Sequence, residues 1–257
     1  MQKYPIIIAV CGKGGVGKTS ISALLVRMLS QNPSHTVLAI DADPAVGLSF
    51  PLGINVAKTV DDIRNDLIER LERKESASRE ELIRSLDYEL FSALSEKENL
   101  AFLAIGRPEG DGCYCQVNTL LKEIIKDIAS RFDYVVIDAE AGVEQISRRV
   151  MEMVTHLLLV SDASLKGRHV AETINNVAQN KCRIQKAGLI YNRIQDMSEY
   201  ESIRAATGLV TCGAILESNL IRSFDREGRS FFELEKCDAI DELNQAIQAF
   251  LNIQESN

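Results

Sequence analysis

At 257 residues the chain is long enough for one α/β domain with a full core. Its hydrophobic (46%) and charged (26%) shares are those of an ordinary soluble protein, and a net charge of −8 argues against broad electrostatic binding to nucleic acid or to an anionic membrane surface. No apolar run nears the ~20 residues that cross a bilayer, and MQKYP leads straight into a strand with no signal peptide in view.

Taken in order, apolar runs and helical periodicities alternate, which predicts an α/β fold: a mostly parallel central sheet flanked by helices. The run Pro5–Val10 predicts the first strand, and Ile21–Leu29 a helix with apolar residues at Ile21, Leu24, Leu25, Met28 and Leu29. Thr36–Ile40 is the second strand and ends at Asp41-Ala42-Asp43-Pro44; Gly47–Ile54 reads as an apolar loop. Val60–Arg73 and Ser78–Leu94 read as two charged, solvated helices, a helical excursion at about 60–95 within one domain spanning 1–257. Leu100–Ile105 is read as the third strand, followed by the loop Gly106–Gly112, Cys113-Tyr114-Cys115 and a helix from about Gln116 to Arg131. Tyr134–Ile137 delivers Asp138, and a loop-to-helix passage runs from Gly142 to Val150. His156–Val160 is the fifth strand, Lys166–Gln179 a crossover helix, Ala187–Tyr191 a strand ending in Asn192-Arg193, Leu209–Leu216 the last strand, and Ile240–Leu251 a terminal helix.

The chemistry concentrates between the first strand and the first helix, in CGKGGVGKTS at 11–20, which from Gly12 to Thr19 fits G-x-x-x-x-G-K-[ST]. Gly12, Gly14, Gly15 and Gly17 leave no Cβ in the way, so successive backbone N–H groups, those of Val16 and Ser20 included, can turn toward a phosphate. Lys18 supplies charge for the β- and γ-phosphates of ATP, Thr19 is a hydroxyl ligand for Mg²⁺, and the helix starting there aims its positive end at the anion. Strands of a parallel sheet present ligands at their carboxyl ends, so Asp41, Asp43 and Asp138 should gather beside this loop, with Asp138 as a magnesium-holding acid. Asn192 ends a strand on the same side, and an amide can both donate to and accept from adenine's edge.

Six cysteines at this length do not make a disulfide scaffold, and a phosphate loop implies a reducing cytoplasm, so cysteines grouped by spacing read first as metal or redox groups. Cys113 and Cys115 are two apart and could reach one ion from an extended or turning chain. Two sulfurs leave a tetrahedral site half filled, and a face-to-face dimer would supply the other pair. Cys11, Cys182, Cys212 and Cys237 are scattered and read as small buried hydrophobes. His35, His156 and His169 lack ligand spacing and read as structural or surface residues.

A second lysine inside the loop, Lys13, makes the string KGGVGKT resemble the deviant Walker A of the MinD/ParA/nitrogenase-iron-protein (SIMIBI) ATPases. The resemblance implies a homodimer closed by ATP, with Lys13 reaching the partner's nucleotide, Asp43 placing the attacking water, Asp41 fixing its loop, and the pair Asn192-Arg193 meeting adenine. Relatives often carry I-P-x-D after the last strand; here Ile215-Leu216-Glu217-Ser218 lacks the proline and the aspartate, although Asp225 and Gly228 keep the following D-x-x-G. GRPEGDGCYC, D-A-D-P and Asp138-Ala-Glu-Ala-Gly142 are further similar to the CooC-type nickel-insertion ATPases. That resemblance implies Ni²⁺ or Zn²⁺ on paired CxC motifs at the dimer interface. The implied client is apo carbon monoxide dehydrogenase or, as in a close relative, acetyl-CoA synthase. Two alternatives remain. An electron-donating iron protein would need a second cysteine in 138–150, where there is none. A MinD- or ParA-like regulatory ATPase would need a basic tail or a DNA surface, which the acidic end (Asp241, Glu242, Glu255) and net charge disfavour. The expected protein is cytoplasmic, with no nucleic-acid or membrane partner.

Overall fold

The structure is a computed structural model, and it describes residues 5–73, 79–106, 115–139 and 151–252. The first half of the chain gives β1 (Ile6–Gly12), α1 (Lys18–Ser30), β2 (Val37–Asp41), the short α2 (Ser49–Leu52), α3 (Val60–Glu72), α4 (Arg79–Ala93), β3 (Ser95–Lys97) and β4 (Leu100–Ala104). The second half gives α5 (Cys115–Ala129), β5 (Tyr134–Asp138), β6 (His156–Ser161), α6 (Leu165–Lys181), β7 (Lys186–Ile194), α7 (Met197–Ile203), β8 (Thr211–Leu216), α8 (Asn219–Glu227) and α9 (Asp238–Asn252).

Among the described residues eight strands form one sheet in the order β3-β4-β2-β5-β1-β6-β7-β8. Every pairing is parallel except β3 with β4. β1, β2, β4, β5 and β6 are apolar almost end to end because helices cover both faces, so neither set of alternating side chains meets water. Ile7, Ala9 and Cys11 of β1 point into a layer shared with α3, α4, α5 and α6. Ile8 and Val10 point into the opposite layer with α1 and α9. None of the helices among the described residues is long and apolar enough to cross a membrane.

The mostly parallel sheet matches the sequence expectation, with local corrections. Gly47–Ile54 is not all loop: residues 49–52 close one helical turn, capped by Gly53 in the left-handed conformation at φ 63°. The polar Ser95–Lys97 pairs antiparallel with β4, so Leu100–Ala104 is the fourth strand and His156–Ser161 the sixth. α7 and α8 were not expected from the apolar pattern, yet each carries its own cap: Asp196 accepts from Glu199 N, and Ser218 from Ile221 N. The charged helices α3 and α4 are not wholly solvated, since Val60, Ile63, Leu67, Leu86 and Leu90 join the core layer of α5. Cys113 and the passage from Gly142 to Val150 lie outside the described residues.

Candidate nucleotide site

β1 hands the chain to the glycine loop at the carboxyl edge of the sheet. α1 then starts at Lys18 from Gly17, whose φ of 88° is left-handed and which brings no side-chain cap. The first-turn N–H groups of α1 are therefore left to an anion. A Cβ on Gly17 would also lie 2.5 Å from Asn192 Nδ2, so this glycine serves both the turn and a close approach of β7. Lys18 Nζ donates to the Lys13 carbonyl at 3.4 Å and folds over the loop.

Asp41 and Asp138 are register partners at the ends of β2 and β5, and Asp138 pairs on its other side with Val10 of β1. The expected gathering of acids beside the loop is thus present. Asp138 is 1% exposed; Ser22 Oγ donates to its Oδ1 at 2.9 Å, and the Thr19 side chain hydrogen-bonds it as well. Burial pushes its carboxyl up to about 6, while the Thr19 and Ser22 hydrogen bonds and the Lys18 charge pull the other way. Asp41, fully buried, accepts from Leu48 N at 2.7 Å and Asp43 N at 3.0 Å, so one side chain ties both ends of the loop that follows β2. Burial raises it to about 7 against those two N–H bonds, with Asp138 adding to the rise. Asp43 sits half-buried on that loop and accepts from Ala45 N at 2.8 Å. Val46, a β-branched residue at φ 50°, marks the same loop as strained.

The Thr19 hydroxyl and the Asp138 carboxylate, already hydrogen-bonded to each other, are hard oxygen donors of the kind Mg²⁺ takes. Two buried acids paired across adjacent strands also concentrate negative charge that a divalent cation would neutralise. The donor set fits. Bound Mg²⁺ would spread the negative charge of the β- and γ-phosphates.

Lys13 lies away from the cradle. Its Nζ is 3.0 Å from Asp162 Oδ2, and Asp162 Oδ1 accepts from Ser164 N at 3.1 Å and Ser164 Oγ at 2.5 Å. Burial pushes Asp162 up, but the Ser164 hydrogen bonds and the Lys13 ammonium together hold it below the ordinary carboxylate range. Sequence reasoning missed Asp162 and Ser22. The signal for the first was its place, one residue past an apolar strand on the ligand side; the second is the buried hydroxyl one turn into α1.

Asn192 Nδ2 donates to Val16 O at 2.8 Å, and Arg193 Nη1 to Gly15 O at 2.8 Å. Both also line a cleft of about 470 Å³, open mouth included, between α1 (Ser20, Ile21, Leu24), the end of β8 with Glu217 and Ser218, and α8 (Ile221, Arg222, Asp225). The divergent 215–218 stretch therefore borders the space beside the phosphate loop. Gly228 closes α8 at φ 65°. Cys11 is buried and its thiol pushed up to about 12, an inert group despite its neighbour loop. Cys182, Cys212 and Cys237 are partly exposed rather than buried, and among the described residues no group of three or more His, Cys, Asp or Glu side chains is placed to hold one ion.

A glycine cradle with an anion-ready helix, buried carboxylates at the ends of the neighbouring parallel strands and an extra lysine together define a P-loop ATPase of the deviant Walker A type. The chain belongs to the AAA domain family, which it matches over residues 5–186. It is 36% identical over 234 residues to an uncharacterised ATP-binding protein of Methanocaldococcus jannaschii, covering 89% of this chain and 91% of that one. It is 28% identical to the carbon monoxide dehydrogenase accessory protein CooC of Rhodospirillum rubrum, over 88% of this chain and 89% of the relative. Its fold matches the septum site-determining protein MinD of Pyrococcus horikoshii, solved with Mg-ADP, with a TM-score of 0.69 at 21% identity and 94% coverage of each chain.

Proposed function

We propose that this ATPase is a nickel-handling chaperone that works as a homodimer, taking up one Ni²⁺ (or Zn²⁺) between two CxC motifs and releasing it to an apo-enzyme when ATP is hydrolysed. The observation that carries the reading is the pair Cys113 and Cys115 on the connection that leaves the carboxyl edge beside Asp41. Ile105 N bonds Asp41 O at 2.8 Å just before the connection, and α5 begins at Cys115 just after it. The connection thus starts one strand from Asp41 and two from Asp138, and the proposed dimer would bring the connections of two copies together. The 28% identity to CooC supports carbon monoxide dehydrogenase as the client; acetyl-CoA synthase is the alternative client.

Within the dimer, Lys13 reaches the partner's phosphates and Lys18 holds its own, so developing charge on the γ-phosphate meets two ammonium groups. Thr19 and Asp138 would hold Mg²⁺, Asp43 would place the attacking water, and Asn192 and Arg193 border the cleft proposed for adenine. Hydrolysis relaxes the loop that follows β2 and opens the shared thiolate site. The test replaces Cys113 and Cys115 together by alanine. Stoichiometric metal binding should vanish with ATP binding unchanged; tight nickel retained by the double variant would overturn the shared-site reading.

A further inference from the structure

We infer that Arg193 is a positioning residue for the phosphate cradle, acting with Asn192 to lock two of its peptide planes, rather than a reader of the base. In a cradle the N–H groups face the anion, so the carbonyls of the same planar peptides face away. An outward carbonyl without a partner leaves the plane free to rotate, and rotation would aim an acceptor at the phosphate in place of a donor. Asn192 Nδ2 on Val16 O fixes the peptide whose N–H belongs to Gly17; Arg193 Nη1 on Gly15 O fixes the one whose N–H belongs to Val16, both at 2.8 Å.

The backbone is shaped for this. β7 pairs Asn192 with Ile215 and Ile194 with Leu216, leaving Arg193 as the extra residue of a β-bulge. Arg193 also takes φ 61°, a conformation that favours glycine. Bulges beside active sites re-aim a side chain, and here the aimed group is a guanidinium laid on a phosphate-loop carbonyl. A strained, exposed arginine kept in a sheet is explained by that contact. The inference rests on the ATPase reading of the loop and adds which residues hold the loop's donors inward.

The experiment measures binding of Mg-ATP, Mg-GTP and inorganic tripolyphosphate to the wild-type chain and to Arg193→Ala, Arg193→Lys and Arg193→Gly, by calorimetry, with melting temperatures alongside. Loss of a charged donor should weaken all three ligands by a common factor of about tenfold in Arg193→Ala, leaving the ATP:GTP ratio unchanged. Arg193→Lys should recover part of the loss. Arg193→Gly relieves the φ 61° strain, so it should melt no lower than wild type while binding as poorly as the alanine variant. A fall in ATP affinity with tripolyphosphate unchanged would make Arg193 a base contact and overturn the inference, as would no loss for any ligand. Wild-type protein that fails to bind ATP would instead refute the ATPase reading beneath it.

Discussion

The two edges of the sheet both bury ionisable groups, and they treat them in opposite ways. At the amino edge His156 is 6% exposed, bonds the Thr155 hydroxyl through Nδ1 at 2.9 Å and lies edge-on to Phe250. Burial, with help from Lys186, lowers it to about 4, so it stays neutral and satisfied. At the carboxyl edge burial raises Asp41 to about 7 and Asp138 to about 6; Asp41 accepts from Asp43 N and Leu48 N of its own loop, and Asp138 from Ser22 and Thr19 at the start of α1. A buried group that is neutral and paired is packing. A buried acid pair beside an anion-ready loop marks the edge where the chemistry sits.

The sharpest way to break that contrast is to remove one acid. Asp138→Asn should lower ATP hydrolysis by about 10²–10³-fold, while the nucleotide-free protein melts at the same temperature or higher at pH 8 because a buried charge has gone. Undiminished hydrolysis would reduce Asp138 to a strand-end cap. A smaller effect is expected at the extra lysine. Lys13→Ala should cut hydrolysis and ATP-dependent dimer formation, followed by light scattering, by about tenfold or more, with nucleotide binding to the single chain little changed. Equal hydrolysis in the variant would leave Lys13 as the counter-charge of Asp162 and nothing more.

The smallest effect is in pH dependence, and it distinguishes the two edges directly. Asp41 and Asp138 have folded pKa values above the ordinary carboxylate value, so the folded state binds their protons first and gains stability as pH falls through about 7 and 6 toward 4. His156 has a folded value near 4, below its ordinary 6.5, so its contribution is present above 6.5 and lost as pH falls toward 4. In nucleotide-free protein the two trends oppose each other. His156→Gln should leave the acid trend alone, giving a melting temperature that rises as pH drops from 7 to 5. Saturating Mg-nucleotide, which keeps the acids ionised, should remove that rise; a rise that persists would place the titrating groups elsewhere.

Much of this edge is legible in the sequence because its parts are local. The glycine loop sits between an apolar run and a helical stripe, and the acids end apolar runs, so strand ends and ligands coincide. What stayed hidden depends on contacts distant in the chain. β3 is Ser-Glu-Lys, with no apolar pattern; it is a strand only because a tight turn with Glu98 at φ 54° lays it on β4. Asp162 gains its meaning from Lys13, 149 residues away. Arg193 looked like part of an adenine pair, and only the bulge and its bond to Gly15 reveal the loop contact. The capping residues Ser218 and Gly228 would have found α8 had they been weighed above its charged composition.

The most direct test of the shared metal site is elemental analysis of the ATP-bound, size-selected dimer after incubation with Ni²⁺. One nickel per two chains, lost in the double cysteine variant and accompanied by neither iron nor acid-labile sulfide, is the predicted result. Four irons with sulfide per dimer, or a dimer that closes on ATP and holds no metal, would contradict it.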